Sequence, residues 1–188
     1  MNLLIKMDHN TIHSKLILGS AQWGGLSYGI ANSSEKITPY DEIRNILLKS
    51  QKNGINFIDT SPGYGDAEKN LGSLNLENFK IITKTNILNS SQINEITIQK
   101  FEKNFQMSLK NMKLKKIYGL LVHRSEDLLK QGGNLLIKKL NELKTNGYVD
   151  KIGVSVYGVS ILEEIFKLFK PDIVQMPINI FDQKAYQD

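Results

Sequence analysis

The feature of this sequence that most constrains its fold is an alternation of short apolar segments with longer amphipathic ones. The short segments are centred on apolar residues, mainly Ile, Val and Leu, which is typical of strands buried on both faces of a parallel sheet. Their predicted bounds are residues 15–19, 56–59, 80–84, 116–123, 152–156 and 172–176. Because strands alternate with helical patterns, the sequence predicts right-handed βαβ units and an α/β fold.

Helical patterns fill the intervals between these strands. The first is predicted to begin with Thr38 as N-cap and Pro39 at the first helical position, and to stop at Gly54. Four more helices are predicted at 66–71, 92–112, 128–146 and 160–169, the last capped by Ser160. In the segment 92–112, apolar residues recur at spacings of three and four and form one helical face, namely Ile98, Phe101, Phe105, Leu109 and Met112.

Two architectures fit this alternation: a doubly wound open sheet and a (β/α)8 barrel. A doubly wound sheet that binds a dinucleotide favours a G-x-G-x-x-G turn after its first strand. The segment GSAQWGGLSYG is rich in glycine but lacks that spacing, so its glycines are better explained as turn residues. The pattern alone leaves both architectures open.

Composition narrows the classes of function. The chain has no cysteine, which excludes disulfides, Cys-ligated zinc and thiol catalysis, and no metal site is predicted. The apolar run near the N-terminus is too short for a signal peptide, and no stretch reaches the length of a membrane span. The net charge is +5, but the lysines are spread out rather than clustered. We therefore expect a cytoplasmic protein that binds neither nucleic acid nor membranes.

Polar side chains stand where the predicted strands end. They are Asp59, Lys84, His123, Ser155 and Gln175, one from each of strands two to six. A further polar residue, Tyr64, lies in the loop TSPGYG, five positions after the first of them. In a barrel, the carboxyl ends of the strands meet at one mouth, and the chemistry of such enzymes is located there.

Each of these residues also has an ordinary structural explanation. Asp59 could cap a turn, Tyr64 could cover a glycine-rich loop, and Lys84 could mark the solvated end of a strand. A histidine that ends an apolar strand, such as His123, is often structural. The serine and the glutamine could be ordinary hydrogen-bonding groups.

The combination predicts a specific chemistry. A lysine cation held beside a phenol lowers the phenol's pKa from its usual value of about 10. The interaction is worth about 4 kcal/mol at 4 Å and an effective dielectric near 20, which is enough to tune Tyr64 as a proton donor. His123 could then hydrogen-bond the same substrate oxygen. Together these groups would reduce a carbonyl, with the hydride supplied by a cofactor.

These motifs resemble those of a known family, the aldo-keto reductases. The segment INFIDTSPGYGDAEKNLG is similar to the family's strand-two signature, and IITKT and YGLLVHRSED resemble the strands that carry its lysine and histidine. KIGVSVYG and DIVQMPINIFDQ resemble its fifth and sixth strands. The opening, LILGSAQWGGLSYGIAN, resembles a bacterial branch often associated with sugar-polysaccharide gene clusters. The resemblance extends over nearly the whole chain from about Lys15 onward.

The resemblance implies a (β/α)8 barrel that reduces aldehydes or ketones with NADPH, or catalyses the reverse oxidation. It implies that Tyr64 is the proton donor, that Lys84 and Asp59 tune it, and that His123 orients the substrate carbonyl. A small-molecule carbonyl compound would be the substrate, and the gene-cluster association favours one derived from a sugar.

The resemblance also implies a cofactor site for NADP(H). Gln175 and Ser155 correspond to residues that contact the nicotinamide carboxamide. The family has an asparagine after that serine, where this chain has Val156, so one amide contact is missing. Trp23, after the first strand, would line the substrate pocket.

The predicted elements account for about six of the eight βα units of such a barrel. We expect one partial barrel domain over residues 1–188, with residues 1 to about 14 as an N-terminal lead-in. In this family, the loops that follow strands seven and eight hold the cofactor's pyrophosphate and 2′-phosphate, so a preference for NADP over NAD is not readable. We also expect the open sheet edges to promote self-association and cofactor binding to be weakened.

Three functions are compatible with the sequence. The leading one is an NADP-dependent carbonyl reductase. The second is a truncated and catalytically weak or inactive barrel relative that acts as a binding or structural module. The third is a barrel enzyme with another chemistry, such as a lyase or isomerase that uses Lys84 as a nucleophile.

Overall fold

The computed structural model describes residues 15–25, 38–181 and 183, so the lead-in predicted at residues 1–14 lies outside the described residues. The described chain contains one six-stranded sheet in which every pairing is parallel. Its strands are β1 (Leu18–Gly19), β2 (Phe57–Asp59), β3 (Lys80–Lys84), β4 (Ile117–Val122), β5 (Val149–Ser155) and β6 (Ile173–Gln175). All six strands predicted from the apolar segments are confirmed.

Helices connect the strands. They are α1 (Tyr40–Lys52), α2 (Ala67–Gly72), α3 (Glu95–Met112), α4 (Gly133–Thr145) and α5 (Val159–Leu168), with 3₁₀ turns at Ala21–Gly24 and Ser125–Leu129. The apolar face predicted for α3 is confirmed, since none of its five members is more than 5 % exposed. Among the described residues, no helix combines the length and apolar character needed to cross a bilayer.

The order of the strands decides between the two predicted architectures. Each strand pairs with its neighbours in sequence, from β1 through to β6. A doubly wound sheet would place β1 in the interior, with later strands added on both sides. The observed order is that of a singly wound, curled half-barrel, so the (β/α)8 type is confirmed for these six units.

The inner face of the sheet carries a small apolar layer that is separate from the main core. Its members are Phe57, Ile82, Leu121 and Ile173, none more than 2 % exposed. Because side chains alternate between the two faces of a strand, the residue two positions further on has the same orientation. Those residues are Asp59, Lys84, His123 and Gln175. The apolar layer is therefore the floor beneath the polar residues predicted to form the site.

Neither of the two predicted N-capping residues caps its helix, and α3 also begins three positions later than predicted, at Glu95. Helix α1 begins at Tyr40 with Pro39 as N-cap, because the hydroxyl of Thr38 donates to the carbonyl of Gln22 at 3.3 Å instead of capping the helix. Helix α5 begins at Val159, before the predicted cap at Ser160. In both cases the predicted capping residue makes no side-chain cap bond.

The single helix predicted over 128–146 is also wrong. A 3₁₀ turn ends at Leu129, and α4 begins only at Gly133. Between them Gly132 has a φ of +80°, and a Cβ at this position would lie 2.0 Å from the carbonyl oxygen of Ile93. The chain turns here because only glycine permits this backbone conformation and this close approach.

Candidate active site

A buried ion pair lies at the carboxyl end of the sheet. Lys84 Nζ lies 2.6 Å from Asp59 Oδ1, and the two residues are 3 % and 6 % exposed. Lys84 also donates to the carbonyl of Thr60 at 3.0 Å. Burial lowers the pKa of Lys84 from its ordinary value of 10.5, and the charge of Asp59 acts against that shift. The predicted pairing of these two strand-end residues is present in the structure.

Tyr64 lies beside this pair, in the loop between β2 and α2. Lys84 Nζ is 5.0 Å from the centroid of the Tyr64 ring. The tyrosine backbone is held at both ends, since its N–H donates to the carbonyl of Ser61 and its carbonyl accepts from the N–H of Ala67. The ring stands edge to face with that of His123, with centroids 6.5 Å apart.

The 3₁₀ turn before α1 packs closely against the tyrosine loop. The carbonyl of Gly24 accepts a hydrogen bond from Asp66 N–H at 3.0 Å. A Cβ on Gly24 would lie 1.4 Å from the carbonyl oxygen of Tyr64. The position of the tyrosine backbone therefore depends on the absence of a side chain at residue 24.

We predict that Gly24→Ala lowers the free energy of unfolding by about 1–3 kcal/mol, because the new methyl group must displace the Tyr64 backbone. Gly19→Ala is the matched control, since a Cβ at that position meets no atom within 4 Å. Urea denaturation of the two variants checks this prediction. Equal stability of the two variants would contradict it.

His123 follows β4 and completes the group. Its backbone N–H donates to Thr85 Oγ1 at 3.1 Å, and its ring Nδ1 lies 3.4 Å from Ser61 Oγ. Burial and the nearby charge of Lys84 lower the pKa of His123 from its ordinary value of 6.5, while the charge of Asp59 opposes them. Both effects favour the neutral form of the imidazole.

The two predicted cofactor-binding residues stand side by side. Ser155 and Gln175 are register partners on β5 and β6, and they are 8 % and 1 % exposed. Gln175 Nε2 donates to Asp59 Oδ1 at 3.3 Å. Its other amide atom, Oε1, is buried without a hydrogen-bond partner among the described residues. The glutamine therefore donates to the ion pair through Nε2, while its Oε1 remains available to accept a hydrogen bond.

Trp23, predicted to line a substrate pocket, is 5 % exposed and belongs to the main apolar core. Its carbonyl accepts a hydrogen bond from Asn70 Nδ2 at 2.6 Å, which joins the first 3₁₀ turn to α2. A contact between the indole and a substrate remains a prediction.

A buried carboxylate joins two of the loops at this end of the sheet. Asp127 is fully buried, accepts from the N–H of Leu88 at 3.2 Å and forms an ion pair with Lys130 at 2.6 Å. Lys130 in turn donates to the carbonyl of Leu88 at 2.6 Å. The loop after β3 is thereby attached to the segment that follows β4.

Several residues of this site were not singled out from the sequence. Ser61 and Thr85 contact the histidine, and Asp127 organises the loops. All three directly follow, or lie close after, strands that end in a predicted site residue. A search for every polar residue within a few positions of those strand ends would have found them.

Comparisons with known proteins point to one family. The family model for the aldo/keto reductase family matches residues 15–188. A comparison with curated protein sequences gives no significant match.

Solved structures show the same fold. A protein from Pseudomonas aeruginosa, provisionally assigned as an aldo-keto reductase, is 24 % identical with a TM-score of 0.75; the match covers 96 % of this chain and 69 % of that one. The glycerol dehydrogenase from Gluconobacter oxydans is 19 % identical, with a TM-score of 0.66 and coverage of 99 % and 57 %. An aldo-keto reductase from Bombyx mori in complex with NADP is 20 % identical, with a TM-score of 0.62 and coverage of 87 % and 54 %. The chain thus spans between about half and two thirds of the length of these proteins.

Proposed function

Because the chain belongs to the aldo/keto reductase family, we propose that it is an NADP-dependent oxidoreductase that reduces an aldehyde or ketone, with Tyr64 as the proton donor. The observation that carries the proposal is the buried Asp59–Lys84 ion pair beside the Tyr64 ring, with the ring of His123 nearly perpendicular to that of Tyr64. A cation, a phenol and an imidazole thus lie together above the apolar floor.

In the proposed reaction, each side chain has a separate task. The Tyr64 hydroxyl gives its proton to the carbonyl oxygen as negative charge develops there. Lys84 favours the tyrosinate that is left, because its positive charge is close and solvent is largely excluded. Asp59 and the Thr60 carbonyl hold the lysine in place. His123 donates a hydrogen bond to the same substrate oxygen and so orients the carbonyl.

The residues present fit a nicotinamide cofactor, which supplies the hydride when bound. The fit rests on Gln175 Oε1, a buried acceptor that has no partner among the described residues. An unsatisfied acceptor of this kind costs about 1–3 kcal/mol, and the N–H of a carboxamide would satisfy it. We assign Gln175 and Ser155 to the carboxamide. NADP(H) is our proposed cofactor, in line with the NADP complex of the Bombyx mori protein.

The experiment that tests this function is a fluorescence titration with NADPH and NADH, followed by assays of carbonyl-dependent NADPH oxidation with simple and sugar-derived aldehydes and ketones. We expect binding and turnover, and about fivefold to tenfold weaker binding in Gln175→Met, which lacks the amide acceptor. Lys151→Gln, a substitution on the same sheet away from the site, is the control.

Two outcomes would contradict the proposal. Absence of both nicotinamide binding and turnover would favour a binding or structural module. Trapping of a Schiff base at Lys84 by borohydride in the presence of a carbonyl compound would favour a lyase or isomerase.

We also propose that the chain associates with itself through its sheet edges. Within the described residues, β1 and β6 each pair with one neighbour only, and unpaired edges recruit other strands. Light scattering should therefore show a mass above the 21.3 kDa of one chain, rising with concentration. A constant monomer mass would contradict this.

A further inference from the structure

Ser61 is a buried residue in contact with the candidate active site for which the proposed reaction has no task. It lies two positions after the end of β2 and is fully buried. Its Oγ accepts a hydrogen bond from Gly63 N–H at 3.1 Å and lies 3.4 Å from Nδ1 of His123. The serine hydroxyl therefore joins the loop that carries Tyr64 to the imidazole.

The direction of the Ser61–His123 bond follows from counting donors and acceptors. A serine hydroxyl has one proton to donate and can accept at its lone pairs. Gly63 already supplies a donor to the oxygen, so the hydroxyl proton needs an acceptor of its own. Among the described residues, Nδ1 of His123 is the acceptor within reach. A buried hydroxyl without an acceptor is costly, so the serine donates and Nδ1 accepts.

An accepting Nδ1 determines the tautomer of the ring. In a neutral imidazole one nitrogen carries the proton and the other accepts, so the proton is then on Nε2. The neutral form is favoured here, since burial and the Lys84 cation both lower the pKa of His123. The charges of Asp59 and Asp127, and an interaction of the imidazole with the backbone of Thr85, raise this pKa, but each is weaker than the effect of burial.

The packing of the loop supports the same orientation. A Cβ built on Gly63 would lie 3.5 Å from Cε1 and 4.0 Å from Nδ1 of His123. Ser61 and Gly63 thus lie beside the Nδ1–Cε1 edge of the ring, and these contacts do not involve Nε2.

We propose that Ser61 is a positioning residue whose hydroxyl donates to Nδ1 of His123 and thereby keeps the Nε2–H donor available for the substrate's carbonyl oxygen. This inference rests on the proposed function, because it assigns the purpose of the Nε2–H to that reaction. The bond itself, however, exists without substrate or cofactor and can be tested by itself.

The test is long-range ¹H–¹⁵N NMR of the histidine side chains in the full chain above pH 7. The chain has three histidines, so a His123→Gln variant identifies the signals against those of His9 and His13. We expect the pattern of a single Nε2–H tautomer in the parent protein. Ser61→Ala should give a mixture of both tautomers, and Ser61→Thr, which keeps the hydroxyl, should retain the parent pattern.

Replacing a serine that had only a structural role would not change the tautomer pattern of His123. An unchanged Nε2–H pattern in folded Ser61→Ala, or an Nδ1–H tautomer in the parent, would overturn the inference. If Ser61→Ala does not fold, Ser61→Cys supplies the same comparison, because a thiol is a much weaker donor; an unchanged pattern there overturns the inference equally.

Kinetics separate this inference from the proposed function. In an active enzyme, Ser61→Ala should lower kcat about fivefold to tenfold with little change in KM, because it changes the population of the productive tautomer. A protein that shows the expected NMR change but no carbonyl reduction would contradict the proposed function alone. Turnover with an unchanged tautomer in Ser61→Ala would contradict the role of Ser61 alone.

Discussion

Tyr64→Phe is expected to lower the turnover of a carbonyl substrate about 10²–10⁴-fold while leaving NADPH binding nearly unchanged. The substitution removes one oxygen and keeps the ring that stands edge-on to His123. Without the hydroxyl, the substrate oxygen must take its proton from water or from a group that is less well positioned. Steady-state kinetics and a cofactor titration on the same preparation check both parts of the prediction.

Tyr148→Phe provides the matched control for this experiment. Tyr148 is 41 % exposed and lies just before β5, at the opposite end of that strand from Ser155. Its loss should alter neither turnover nor cofactor binding. If Tyr64→Phe worked at the rate of this control, the tyrosine would not be the acid, and another donor would have to be sought.

Breaking the Asp59–Lys84 pair is expected to have the second largest effect. Lys84→Met leaves the Asp59 carboxylate almost fully buried, with the Gln175 amide at 3.3 Å as its remaining hydrogen-bond partner among the described residues. Removing one member of a buried ion pair typically costs about 3–5 kcal/mol. It also removes the cation that favours tyrosinate, so activity should fall at every pH. Urea denaturation and pH–rate profiles measure the two effects.

Asp59→Asn should be milder, and its effect should depend on pH. Burial lowers the pKa of Lys84 and the charge of Asp59 opposes that shift, so the substitution lowers the lysine pKa further. The lysine then holds its proton only at more acidic pH, and activity should partly return as the pH falls. Lys84→Met should show no such recovery.

The double variant Asp59→Asn/Lys84→Met separates stability from catalysis. It buries no unpaired charge, so it should be more stable than Lys84→Met while remaining as inactive. A larger loss of activity from Asp59→Asn than from Lys84→Met across the pH range would reverse the roles assigned to the two residues.

Local sequence patterns predicted which segments form helices and strands, but they predicted the ends of the helices less accurately. The apolar face of α3 was readable because helical periodicity and burial agree at each of its five positions. Thr38 was predicted as a cap because its residue type favours that place, but the Gln22 carbonyl, 16 positions earlier, takes its hydroxyl proton. Gly132 interrupts a predicted helix because it meets the carbonyl of Ile93. Contacts with distant segments decided these boundaries, and such contacts leave no periodic signal.

The sequence by itself indicated the strand-end residues at the centre of the candidate site. Strand periodicity of two places Asp59, Lys84 and Gln175 above the apolar floor, because each follows a floor residue by two positions. The apolar pattern could not reveal which strands are neighbours, since a buried strand reads the same in a doubly wound sheet and in a barrel. Only the tertiary structure decided the strand order. The tertiary structure also showed which side chains on different strands and loops meet, such as Gln175 with Asp59 and Ser61 with His123. Whether a hydrogen bond forms depends on differences of a few tenths of an ångström in the donor–acceptor distance. The donor and the acceptor here lie far apart in the chain, so only the folded structure sets that distance.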